Sequence, residues 1–286
     1  MWIVYAVASA FFAGITAILI KIGIKKLDSN LATALRTLIV LAFSWGLVLL
    51  ANTHTQIASI PQKSIIFLML SGVSTSIAWL CYFKALQLGD VSRVAPVDKS
   101  STIITILLSF LVLKEKPTKA MIIGIFLLAA GVLQMIRPTK HDKKQSESKS
   151  WLFYAMLSAV FIALTAIFGK IGVGDVEPSL ATAIRTVIVA IMVWIIVFVQ
   201  NKQKLIKTLS RRNWLFILLS GISTGLAWIL FFQALKGGRA SIVVPIEKLN
   251  IIVTVVFSHF LLKEKLSKNL VIGLCLLVVG TLLMLF

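Results

Sequence analysis

Two short stretches set acids and lysines inside apolar surroundings. Residues 94–101 read VAPVDKSS and residues 243–250 read VVPIEKLN, so Asp98–Lys99 and Glu247–Lys248 each follow a proline and border a long apolar run. A charge at the centre of a membrane helix costs about 2.5–3.5 kcal/mol on insertion scales, and such residues pair with one another or mark a pathway. Further bases recur at matching depth: Lys21, Arg36 and Lys84 in the first half, Lys170 and Arg185 in the second. The chemistry these groups offer is electrostatic. They can hold an anion, gate a chamber with ion pairs, or carry a proton on Asp98 or Glu247. No nucleophile–base pair, metal-ligand cluster or Walker A loop accompanies them, so neither catalysis, nor a cofactor, nor a metal is expected. A simpler reading covers the same residues. A proline in the first turn and an acid near the N-terminal dipole fit an ordinary interfacial helix start. Lys21 and Lys170 can likewise snorkel to lipid phosphates.

The elements that must position these charges are membrane spans. The chain has 286 residues, of which 59% are hydrophobic and only 14% charged, against about 25% charged in an ordinary soluble domain. Apolar stretches of membrane-crossing length fall at 2–23, 31–51, 64–87, 94–113, 119–136, 151–172, 180–200, 213–235, 241–262 and 268–286. The first begins at Trp2 with no basic residue ahead of it and is too long for a signal peptide core, so it reads as a retained span. The net charge of +19 does not point to nucleic acid, because the bases sit in short connectors and form no basic face with interleaved aromatics. Cys81 and Cys275 stand alone as small apolar residues. His259 is also solitary.

The second five spans repeat the first at an offset of 149. LATALRT (31–37) returns as LATAIRT (180–186), SGVSTSIAW (71–79) as SGISTGLAW (220–228), and LKEKPTK (113–119) as LKEKLSK (262–268). Between 71–119 and 220–268, 22 of 49 positions are identical without a gap. That register marks an internal duplication. Five is odd, so the second copy must start on the opposite side of the bilayer. The expected fold is therefore all-α, ten transmembrane helices as two inverted five-helix repeats, 1–136 and 151–286, joined by a basic linker at 137–150. Inverted repeats are a recurrent plan of secondary transporters, with the binding site at mid-membrane between the copies.

The stretches SNLATALRT, SGVSTSIAWLCYFKALQLGDVSRVAPVDKSS and LSFLVLKEK, with their second-half partners, resemble the EamA domain of the drug/metabolite transporter superfamily. The resemblance covers nearly the whole chain, twice. It implies that spans 1–4 and 6–9 wall a central cavity while spans 5 and 10 support them from outside. Glycines seven apart on those two spans, Gly124 with Gly131 and Gly273 with Gly280, fit close helix packing there.

By chain parity Lys21, Arg36, Lys84, Asp98 and Lys99 lie toward one membrane face, and Lys170, Arg185, Glu247 and Lys248 toward the other. Two ionic clusters acting as alternating gates are expected, with Asp98 paired to Lys21, Arg36 or Lys84, and Glu247 to Lys170 or Arg185. Cavity walls are expected from Thr75, Trp79 and Tyr82 on span 3, Thr224 and Trp228 on span 8, Thr105 on span 4 and Asn250 on span 9. Ser and Thr hydroxyls also bond back to their own helix, so these polar stripes have a structural reading too. Of the 22 bases outside the span interiors, counting Lys119 and Lys268 at the span borders with the adjoining connectors, sixteen fall in odd-numbered connectors and six in even ones. This bias places both termini outside, whereas the family resemblance implies termini inside.

The functional expectation is a secondary transporter in the cell membrane for small polar metabolites, import or export left open. Bases outnumber acids in both clusters, which favours an anionic or zwitterionic substrate such as an amino acid or an organic or phosphorylated acid. Protons are a candidate coupling ion, and the protein is read as a monomer or homodimer. Two alternatives remain at this point: a proton-coupled multidrug pump for organic cations, disfavoured because spans 1 and 6 carry lysines and no acid, and a membrane scaffold without turnover.

Overall fold

A computed structural model of the chain describes residues 1–23, 27–88, 94, 97–136, 150–262 and 267–286. Among these residues the secondary structure is entirely helical. We label the α-helices α1 (Trp2–Gly23), α2 (Ser29–Leu50), α3 (Gln62–Leu88), α4 (Ser101–Val112), α5 (Lys119–Ile136), α6 (Ser150–Val173), α7 (Pro178–Val199), α8 (Arg211–Gly237), α9 (Ala240–Lys248), α10 (Asn250–Leu262) and α11 (Lys268–Leu283). Short 3-10 helices cover Thr53–Ser59 and Lys202–Thr208. Among the described residues, seven helices are long and apolar enough to cross a membrane when α9 and α10 are taken together as Ala240–Phe260; Lys119–Met135 and Lys268–Leu283 are shorter apolar helices. Of the expected fourth span, α4 and a helical turn at Val97–Lys99 are described. The basic linker lies outside the described residues, apart from Ser150.

Helix starts follow local chemistry and repeat between the halves. The Asp28 carboxylate accepts from the backbone amides of Asn30 and Leu31 at 3.0 and 3.2 Å, capping α2. Its counterpart Glu177 accepts from Ser179 and Leu180 at 2.8 and 3.0 Å, capping α7. Carboxylates suit this position because they satisfy orphan N–H groups and complement the helix dipole. After α2 and α7 the chain turns through Asn52 and Asn201, both left-handed at φ 54°, a conformation asparagine tolerates better than most residues.

The span after α8 is discontinuous. Pro245 removes one backbone donor from α9, and at Leu249 the ladder changes to an i−3 bond, Leu249 N–H donating to Ile246 O at 3.0 Å. The equivalent position in the first half, Ser100, does the same: its N–H donates to Val97 O at 3.0 Å and its hydroxyl adds a second bond to that carbonyl at 2.6 Å. Asp98–Lys99 and Glu247–Lys248 thus sit immediately before a break in their spans.

Packing obeys the exchange of halves. Helix α3 packs on α6 as α1 packs on α8; α2 packs on α8 as α7 packs on α3; α1 packs on α10 as α6 packs on α4. Equivalent helices also meet directly, and they run antiparallel. At the start of α2, Asn30 donates to Gln200, just past the end of α7, at 2.8 Å, and Lys202 bridges to Asp28 at 2.5 Å. In the α5–α11 pair Gly124 lies against Gly280, and Gly131 against Gly273; a Cβ on Gly131 would stand 2.8 Å from Gly273 O. Large apolar side chains such as Leu111 and Phe126 remain more than 70% exposed on the outside, where a bilayer would cover them.

Candidate functional site

A cavity of about 230 Å³ lies between the halves, walled by α1, α2, α3, α6, α8 and the α9 end of the broken span. Its polar wall carries Thr16 and Thr165, Thr75 and Thr224, and Ser9; Trp79 and Trp228 supply flat apolar surface; Arg36, Glu247 and Lys248 bring charge. Small residues let the helices approach closely enough to form it. Ser9 Oγ donates to Ala227 O at 2.8 Å, and Ser223 Oγ to Phe12 O at 2.8 Å, tying α1 to α8. Ser71 Oγ donates to Thr165 O at 2.9 Å, tying α3 to α6.

The charges at the two helix breaks form one group. Lys248 Nζ lies 3.2 Å from Glu247 Oε2, and Asn250 donates to Glu247 Oε1 at 3.0 Å. Asp98 is within Coulombic reach of Lys99, Lys248 and Glu247, and Ser158 Oγ donates to it at 3.4 Å. The sequence led us to expect two clusters near opposite faces. The structure instead brings Asp98 and Glu247 within Coulombic reach of each other, each in the last turn before the break at Ser100 or Leu249. The expected long-range partners also differ. Lys170 donates to the carbonyls of Leu235 and Gly238, the latter at 2.8 Å, at the end of α8. Lys21 donates to Ser258 Oγ at 3.3 Å. Lys84 is exposed.

The two arginines differ from each other. Arg185 is 2% exposed; its guanidinium lies 3.6 Å from the centroid of the Trp228 ring and donates to Thr75 Oγ1 at 2.7 Å. A desolvated cation over an indole face is worth about 2 kcal/mol, and a hydrogen bond from a charged donor about 1.5–3 kcal/mol. Arg36 lines the cavity with its guanidinium 6.0 Å from the Trp79 ring.

Other anticipated wall residues are placed differently. Thr105 is fully buried and donates to Ser101 O at 2.8 Å within its own helix. Tyr82 packs with Ala85, Val94, Val97 and Ala155 away from the cavity lining, whereas its counterpart Phe231 is part of that lining. Sequence reasoning passed over Ser9, Thr16 and Thr165. The signal was available: Thr16 and Thr165 are equivalent at the 149 offset, as are Ser9 and Ser158, and positions 9 and 16 share a helix face. It also passed over Glu115 of the repeated LKEK motif. That carboxylate accepts from the amides of Ala240 and Ser241 at 2.8 and 3.1 Å, and from the Ser241 hydroxyl, capping α9 from the other half. Among the described residues no group of three or more His, Cys, Asp or Glu could hold a metal ion.

A helical membrane bundle with a polar, charged cavity at the interface of two related halves is the architecture of a multi-pass transporter. The chain belongs to the EamA-like transporter family, whose pattern it matches over residues 1–137 and again over 149–286. That family is one of transporters, not of enzymes. Among its relatives is an uncharacterized transporter encoded in a cobO 3′ region of a Sinorhizobium species, 40% identical over 137 residues; this stretch is 48% of the present chain and 97% of that protein. An uncharacterized protein of Methanocaldococcus jannaschii is 30% identical over 133 residues, 46% of this chain and 94% of that one. One crystal structure has the same fold, with a TM-score of 0.77 over 99% of this chain and 95% of its own at 16% identity.

Proposed function

We propose that this protein is a secondary active transporter of small polar metabolites bearing an anionic or zwitterionic group, such as amino acids or organic or phosphorylated acids. In this reading the ten spans form two inverted five-helix repeats, 1–136 and 151–286, in the cell membrane. The antiparallel contacts between equivalent helices support the inversion, as does the odd span number of each repeat. Alternating access then follows from exchanging the conformations of the halves around one fixed site.

The observation that carries the substrate class is the charge of the chamber. Arg36, Lys99 and Lys248 stand against Asp98 and Glu247 at or beside one cavity, leaving one base in excess. An arginine facing a cavity binds carboxylate or phosphate through paired N–H groups. The volume of about 230 Å³ suits a small metabolite. Asp98 and Glu247 are the candidate proton carriers in a coupled cycle.

Purified protein in proteoliposomes tests this directly. Counterflow of a labelled amino acid or organic acid, competed by its own class and lost in Arg36→Gln, is the expected result. Flux of a lipophilic cation with no effect of Arg36→Gln would overturn the substrate assignment, and no flux across a broad metabolite panel would count against the carrier.

A further inference from the structure

Each half supplies one arginine, one tryptophan and two threonines to the same region, and the residue types are identical: Arg36 and Arg185, Trp79 and Trp228, Thr75 and Thr224, Thr16 and Thr165. The hydroxyls are matched in their helix bonds. Thr75 donates to Ser71 O at 2.9 Å and lies 3.1 Å from Thr165 Oγ1. Thr224 donates to Ser220 O and lies 3.4 Å from Thr16 Oγ1, the first bond being 2.6 Å. The arginines break this match. Arg185 is stacked on Trp228 and bonded to Thr75, while Arg36 faces the cavity at 6.0 Å from Trp79. Identical side chains in equivalent frames have taken two different arrangements. The residue types that the mirror arrangement needs are all in place, with Arg36 on Trp79 and Thr224 and with Arg185 released. The parked state is also incompletely satisfied, since the buried Nε–H of Arg185 has no acceptor among the described residues, and a buried donor without a partner is costly.

We propose that Arg36 and Arg185 exchange these states, so that one guanidinium faces the cavity to receive an anionic group while the other is parked on its tryptophan and on a threonine of the opposite half. This rests on the carrier reading and assigns its anion-binding group: a different arginine in each of the two conformations. Because only one arginine faces the substrate at a time, the parked one is withheld by its neighbours, and substrate on the free one favours the conformation in which it is free.

The repeat supplies its own control. Thr75→Val and Thr224→Val remove the same helix bond and the same threonine contact, but only the first removes a partner from the parked arginine. The reporters are Phe231→Cys, at a buried position that borders the cavity, and Tyr82→Cys, at the equivalent half-buried position outside that lining, each in a Cys81→Ser, Cys275→Ser background and each labelled with N-ethylmaleimide. Thr75→Val should shift the ratio of labelling from position 231 to position 82 by roughly five- to thirtyfold, the effect of losing one or two kcal/mol from one state. Thr224→Val should leave the ratio unchanged or move it the other way, and Thr75→Ser should be silent. Equal shifts by both valine variants, or none by either, would overturn the exchange. If Thr75→Val does not insert, Arg185→Lys against Arg36→Lys asks the same question with the charge kept. No substrate enters this measurement, so its outcome judges the exchange while the flux assay judges the carrier.

Discussion

Glu247 and Lys248 are consecutive in the chain, yet their side chains meet at 3.2 Å. On an uninterrupted helix neighbours point about 100° apart and do not face each other. The break at Leu249 releases that constraint, so the pair answers to local backbone geometry and to Asn250, which holds the other carboxylate oxygen. Replacing Glu247 with Gln leaves Lys248 with Asp98 as its remaining counter-charge among the described residues. A loss of about 1.5–3 kcal/mol is expected, the range for a hydrogen bond to a charged group, read as a lowered melting temperature in detergent. Asp98→Asn combined with Glu247→Gln should insert at normal level but lose flux. Normal transport by that double variant would remove both carboxylates from the mechanism.

At the scale of elements, α5 and α11 meet glycine against glycine, outside the set of helices that line the cavity. A methyl on Gly131 would stand 2.8 Å from Gly273 O, and one on Gly273 would stand 2.5 Å from the Met135 side chain and 2.8 Å from Gly131 O. Backbone cannot yield as a flexible side chain can, so Gly131→Val or Gly273→Val should cost about 1–3 kcal/mol through overpacking. Gly46 meets nothing within 4 Å, and Gly46→Ala should be neutral or slightly stabilising, since alanine is the better helix former. Thermal unfolding of the three variants side by side checks the contrast; equal destabilisation would mean that α5 and α11 do not rely on this seam.

For the molecule as a whole, the proposed alternation depends on the orientation of the halves. Asn30 at the start of α2 reaches Gln200 beyond the end of α7, whereas a parallel arrangement of the copies would set it beside its equivalent, Ser179. In a background without Cys81 and Cys275, oxidation should therefore cross-link Asn30→Cys with Gln200→Cys and not with Ser179→Cys. Efficient cross-linking of the second pair in place of the first would refute the antiparallel packing and, with it, alternation by exchange of halves.

The sequence by itself determined the helical class, the duplication and the residue inventory. Hydropathy and a fixed repeat offset are carried by many positions at once, so no single contact can obscure them. Thr75, Trp79, Thr224 and Trp228 were legible as wall residues because they recur one turn apart on equivalent helices. Depth and partnership were decided only by the tertiary structure. Asp98 and Glu247 were read as span-start residues near opposite faces, since a periodicity does not show where a ladder of hydrogen bonds will break. In the folded chain they lie within Coulombic reach of each other, each just before an interruption of its span at Ser100 or Leu249. The difference between Arg36 and Arg185 lay further out of reach. The two halves spell the same residues there, and only packing, which must choose one arrangement at a time, can tell them apart.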